Sequence, residues 1–162
     1  MASLTSARAF KFATALAVGF ALAACAKGSD DLNGAAAGAP GSLQDFTANV
    51  GDRVFFETDS SELTPTAQGT LDKQAIWLSK YSRYTFTVEG HADERGTREY
   101  NFALGARRAD AAKNYLVAKG VAVSRIKTIS YGKERPVAVC DDISCWSQNR
   151  RAVTVLAGAP TS

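Results

Sequence analysis

From residue 46 onward the sequence predicts an α+β fold: a four-stranded mixed sheet with two main helices packed on one face. Three stretches carry that prediction. In YTFTVEG, residues 84–90, Tyr84, Phe86 and Val88 alternate with Thr85, Thr87 and Glu89, the period of a strand buried on one side. Thr64 followed by Pro65 is an N-cap with proline at the first helical position, and Leu71, Ala75 and Leu78 then line one face of a helix reaching about Tyr81. Residues 98–119 read as a second, longer helix stopped by Gly120. Strands interleaved with helices in this way form a sheet covered by helices.

The remaining elements fall into place in chain order. VFFE, residues 54–57, reads as a short first strand; RIKTISYG, residues 125–132, and RAVTVLA, residues 151–157, supply two more. The expected order is strand, helix, strand, helix, strand, a loop and a last strand, occupying residues 46–158, with 159–162 as a tail. The core of such a domain is modest.

Residues 1–24 have a different character. Arg8 and Lys11 precede a short apolar run, and no acidic residue occurs before Asp30. The run is too short to span a bilayer, which points to a secretory signal. LAAC, residues 22–25, resembles the lipobox of bacterial lipoprotein signals, in which the cysteine is acylated and becomes the first residue of the mature chain. Several acyl chains on Cys25 would anchor stably where a single chain binds only marginally. The residues after it are Ala26 and Lys27 rather than an inner-membrane-retaining aspartate, so the expected address is the outer membrane. The rest of residues 25–45, rich in Ala, Gly, Ser and Asp, reads as a flexible tether, roughly 25 Å end to end as a coil and about 65 Å at full stretch.

Charge and cysteine content narrow the function. The precursor carries a net charge of +3, and removing Arg8 and Lys11 with the signal leaves 17 basic against 16 acidic residues. Without a basic stripe interleaved with aromatics, nucleic-acid binding loses its electrostatic footprint. With Cys25 lipidated, Cys140 and Cys145 remain as an even pair five residues apart in an oxidising compartment, and a disulfide is expected. The rival is a metal site, for which two thiols beside Asp141 and Asp142, with the sole histidine far off in sequence, make a poor zinc cage. No metal and no cofactor are expected.

The stretch GHADERG, residues 90–96, crowds His91 with Asp93, Glu94 and Arg95. Read as catalysis, it offers a histidine base, or a carboxylate pair drawn from Asp59, Asp93 and Glu94. Read as a cradle, a polar loop runs from a strand end into a helix N-terminus, whose N–H groups favour a carboxylate ligand. On the helix that follows, Asn101, Leu104 and Arg108 share one face with Ala111 and Tyr115, while Gly105, Ala109, Ala112 and Leu116 form a small-residue stripe suited to lying close on the sheet. Arg108 on that face needs an acidic partner. An internal ion pair with Asp93 or Asp59, a snorkelling surface position and a ligand carboxylate all remain open.

GHADERGTREYNFALGARRADAAKNYL, followed by SYGKERP and SQNRRAV, resembles the OmpA-like peptidoglycan-binding family over roughly residues 50–157, and the lipobox and tether resemble its lipoprotein branch. The resemblance implies two main helices against a four-stranded mixed sheet, no enzymatic activity, and noncovalent binding of the diaminopimelate residue in the peptide stem of peptidoglycan. The family's aspartate in its GH-x-D motif falls on Asp93 and its helical arginine on Arg108; Leu104, Asn101 and Thr97 match further positions, and the aspartate after the first strand falls on Asp59. Thr58 stands where the family often has a bulky apolar residue. The implied roles give Arg108 the ligand carboxylate, and Asp93 with Asp59 the ammonium and its orientation. The resemblance further implies partners in TolB and the other Tol proteins, which act in outer-membrane constriction at division.

Overall fold

In the computed structural model the described residues are 38–157; the signal segment, Cys25, most of the tether and the tail at 159–162 lie outside them. The sheet has the strand order β1-β4-β2-β3, from β1 (Arg53–Phe55), β2 (Phe86–His91), β3 (Ile126–Gly132) and β4 (Arg151–Leu156). β4 pairs antiparallel with both β1 and β2, and β2 pairs parallel with β3. A parallel pair needs a crossover, supplied here by the long helix α3 (Arg98–Ala118). The helix before it, α2 (Pro65–Lys80), begins as its residues dictate, with the Thr64 hydroxyl accepting from Ala67 N at 3.2 Å. Leu71, Ala75 and Leu78 are all buried, as are Tyr84, Phe86 and Val88 of the predicted strand stretch. At the far end of α3, Gly120 takes φ +94, and Val121 N returns to Leu116 O at 3.1 Å.

The two stripes expected on α3 are both buried at their core: Asn101, Leu104 and Arg108 along one edge, Gly105, Ala109, Ala112 and Leu116 along the other. The small stripe lets the helix backbone touch the sheet. A Cβ built on Gly90 would lie 1.8 Å from Gly105 O, and one on Gly105 would lie 2.4 Å from Ser130 Oγ.

Two expectations are corrected. The tether expected to run to residue 45 gives way to folded chain by about Gly41. Gly41 O accepts from Tyr84 Oη at 2.7 Å and Arg83 Nη2 at 2.8 Å, and a single turn, α1 (Leu43–Asp45), aims the Asp45 carboxylate at Trp77 Nε1, 2.8 Å away. Phe46, in the π turn that continues it, is buried against Trp77. The loop expected before the last strand contains a further helix, α4 (Ile143–Asn149), capped by the Asp142 carboxylate on Ser144 N at 2.7 Å. Seven mostly polar residues are too short for their periodicity to declare a helix. Cys140 and Cys145 form the expected disulfide, with Cα atoms 5.6 Å apart.

Candidate functional site

Arg108 is the largest fully buried side chain among the described residues, and it organises a cleft. It projects from α3 between the end of β2 and the loop joining β1 to α2. Its Nη1 donates to His91 O at 2.8 Å, its Nε to Ser60 O at 2.8 Å and its Nη2 to Glu57 O at 3.1 Å. These three bonds occupy three of the five guanidinium N–H groups, which leaves two donors. Burial, then the neighbouring Arg150, lowers its pKa to about 10, so it stays a cation at neutral pH.

The internal ion pair weighed for Arg108 does not form. Asp93 is engaged elsewhere: Arg95 grips it through Nη2 at 2.6 Å, Nε at 3.2 Å and its backbone N at 3.2 Å, and Arg150 Nη1 adds a contact at 3.4 Å. Burial pushes the Asp93 carboxyl up, yet the Arg95 bonds outweigh it and hold it below the usual carboxylate range. Asp59 accepts the Tyr100 hydroxyl. The snorkelling alternative fails too, because Arg108 is 0% exposed. A buried cation whose hydrogen bonds all go to carbonyls, with the Phe56 ring centroid 5.2 Å from its guanidinium carbon, is costly unless an anion completes it.

Asp59, Asp93, Asn101, Leu104 and Arg108 line one cleft of about 270 Å³ with Thr58, Arg95, Gly96 and Tyr100. Two carboxylates and two guanidiniums face it, a balance suited to a zwitterion rather than to a simple anion or cation. Asp59 has φ +57, an uncommon conformation for a residue with a side chain. Thr97 stands apart from the other predicted site residues: its hydroxyl caps α3, accepting from Tyr100 N at 3.2 Å. Asn101 faces the cleft and also pins the rim, its Nδ2 donating to Arg95 O at 2.7 Å. Lys133 holds the same rim from the other side, Nζ to Gly96 O at 2.7 Å and to Glu94 O at 3.1 Å.

Sequence reasoning missed Arg95, Tyr100 and Arg150. Helical spacing had a signal for Tyr100, which sits one turn before Leu104 on the stripe leading to Arg108. Arg150 lay in the quoted SQNRRAV, but its reach to Asp93 is a tertiary contact with no sequence period. A larger groove of about 630 Å³ beside Phe102 and β3 has a weaker claim. Its Arg98 is highly exposed and already paired with Glu134 at 3.1 Å.

His91 is not placed as a catalytic base. Its ring is 2% exposed, beside Tyr131, and neither ring nitrogen has a hydrogen-bond partner; its contribution to the cleft is the carbonyl that receives Arg108. Burial, then Arg151 and Arg135, lowers its pKa to about 4. Among the described residues no group of three or more His, Cys, Asp or Glu side chains could hold a metal ion, and no helix is long and apolar enough to cross a membrane.

Comparison with known proteins agrees with this geometry. Residues 55–150 match the OmpA family. The peptidoglycan-associated lipoprotein of Mesorhizobium japonicum is 73% identical over 128 residues, 79% of this chain and 76% of that protein. The protein of the same name from Rhizobium meliloti is 64% identical, covering 90% of this chain and 86% of its own. Among solved structures, the peptidoglycan-associated lipoprotein of Burkholderia pseudomallei superposes with a TM-score of 0.64 at 39% identity, covering 65% of this chain and 90% of that one. The C-terminal domain of Helicobacter pylori MotB, at 22% identity and a TM-score of 0.63 over 67% of this chain and 86% of its own, shares the fold. The chain belongs to the OmpA family, in the branch of the peptidoglycan-associated lipoproteins.

Proposed function

We propose that this chain binds peptidoglycan noncovalently, taking the side-chain end of a diaminopimelate residue into the cleft, and so ties the outer membrane to the cell wall. One observation carries the reading: Arg108, buried and cationic, lines the cleft with three of its five N–H groups on carbonyls and no carboxylate paired to it among the described residues. Diaminopimelate presents a carboxylate and an ammonium on one carbon. The guanidinium fork takes the carboxylate. Asp59, which accepts the Tyr100 hydroxyl, takes the ammonium, while Asp93, already held by Arg95 and Arg150, orients the rim. This divides between two residues the roles first assigned to them jointly. The protein is a binding module rather than an enzyme.

The names of the relatives support the wider setting. In this reading residues 1–24 direct export, Cys25 carries acyl chains in the outer membrane, and the domain faces the periplasm. TolB and the other Tol proteins are its protein partners during outer-membrane invagination at division, TolB and the wall competing for overlapping surfaces.

Sedimentation with purified sacculi tests the proposal. The wild-type chain is expected to pellet with diaminopimelate-type sacculi and much less with lysine-type ones, which lack the second carboxylate, and to release no muropeptides. Arg108→Ala should lose the preference, with affinity down about 10- to 100-fold, the worth of charge-assisted hydrogen bonds. Equal pelleting of both sacculi by the wild-type chain contradicts the pocket assignment without depending on how the variant folds. Release of muropeptides contradicts the non-enzymatic reading.

A further inference from the structure

Trp146, on α4, covers the outer side of the cleft rim. Its indole N–H donates to the Glu94 carboxylate, and the Arg95 guanidinium carbon lies 4.2 Å from the ring centroid, well within cation–π range. Arg95 thus meets the indole ring with its guanidinium face and the Asp93 carboxylate with its N–H edge. Its side chain is still 41% exposed, so solvent and rotamer freedom compete for it and the indole biases the outcome.

The helix carrying Trp146 cannot hold itself. Seven residues are far below the length at which a helix is stable alone. Two ties fix it: the Cys140–Cys145 disulfide closes onto its first turn, and buried Asn149 at its end accepts from Val137 N at 2.8 Å and donates to Ala138 O at 2.7 Å. The next residue, Arg150, reaches Phe56 O at 3.0 Å and Asp93 at 3.4 Å. Both contributions of the segment therefore converge on Asp93.

What this prevents is a collapse within the cleft. Asp93 and Arg108 line the same space, and the Asp93 charge already favours the Arg108 cation. If Arg95 lets go, Asp93 keeps only the 3.4 Å contact with Arg150 and is free to turn across the cleft toward Arg108, the cation that the ligand needs. An internal Asp93–Arg108 pair would neutralise the anion site.

We infer that Trp146 is a positioning residue for the wall ligand: held by the disulfide-braced α4, it keeps Arg95 on Asp93 and Asp93 off Arg108. The inference rests on the diaminopimelate reading of the cleft. It makes α4 and its disulfide part of the binding apparatus rather than a distant staple.

The test titrates the full chain, in detergent, with a soluble muropeptide bearing a diaminopimelate stem and with its lysine counterpart. Trp146→Ala should weaken diaminopimelate binding about fivefold and shrink the preference over lysine, while Trp146→Phe, which keeps an aromatic face, stays near wild type. Arg95→Ala, at an exposed position that does not threaten folding, should lose as much, and the double variant no more than either single one. A C140A/C145A variant should move in the same direction. An unchanged diaminopimelate-to-lysine ratio in Trp146→Ala and Arg95→Ala, or losses that add in the double variant, overturns the inference while leaving the cleft reading intact. A wild-type chain with no preference between the two muropeptides overturns both.

Discussion

Arg108 and His91 are both buried, and the His91 carbonyl accepts from Arg108, yet their surroundings give the two side chains opposite electrostatic states. Arg108 remains charged because three carbonyl dipoles and the nearby carboxylates compensate burial. His91 has no such partners at its ring and faces Arg151 and Arg135, with Tyr131 alongside and the Glu89 carboxylate 3.7 Å from Nε2, so it stays neutral. Its pKa drops from 6.5 to about 4 on folding. Between those two values the unfolded chain binds a proton that the folded chain does not, so stability is retained above pH 6.5 and falls as pH falls toward 4. Urea unfolding at pH 7.5 and 4.5 should show a loss of roughly 2–3 kcal/mol, most of it abolished in His91→Phe. The same loss in that variant would place the acid sensitivity elsewhere. The lowered Asp93 carboxyl contributes below this window, where its own protonation frees Arg95.

At the scale of elements, the seating of α3 on the sheet depends on glycine at a particular pair of positions. Gly90→Ala would put its new carbon 1.8 Å from Gly105 O, a backbone atom that cannot swing aside, and about 3 kcal/mol of destabilisation is expected. Gly69→Ala, on the exposed side of α2 with nothing within 4 Å, should instead stabilise by about 0.5–1 kcal/mol. Chemical denaturation of the pair checks both signs; a Gly90→Ala variant as stable as the wild type would mean that the close approach of α3 to the sheet does not depend on glycine there. The elements themselves were readable where the chain states a period or a cap, as in the Tyr84–Phe86–Val88 alternation and the Thr64–Pro65 start. They were not readable where order comes from distant partners. The turn at Leu43–Asp45 exists because Asp45 finds Trp77, and α4 exists with its disulfide and with Asn149 bonded to residues 137 and 138. Five of the six ligand positions predicted from the family motifs line the cleft; the sixth, Thr97, caps the helix that carries three of them, Asn101, Leu104 and Arg108. Missing from that set were the residues that satisfy the acids: Tyr100 shares the helical spacing of Leu104 and Arg108, but the hold of Arg95 and Arg150 on Asp93 leaves no trace in spacing.

For the whole molecule, the proposed anchor and the cleft are mechanically in series. With folded chain starting at about Gly41, the tether proposed from Cys25 would comprise residues 26–40, and 15 residues span at most about 50 Å, less than the stretch first expected. At the other end of that series the load would fall on one buried guanidinium and the carbonyls and rim that hold it. The most direct test is a crystal structure of the chain with a diaminopimelate-bearing muropeptide. The account predicts a ligand carboxylate about 2.7–2.9 Å from Arg108 Nη1 or Nη2, with the ligand ammonium on Asp59 and Arg95 still on Asp93. A ligand seated outside the cleft, or a cleft ligand whose carboxylate avoids Arg108, would contradict it.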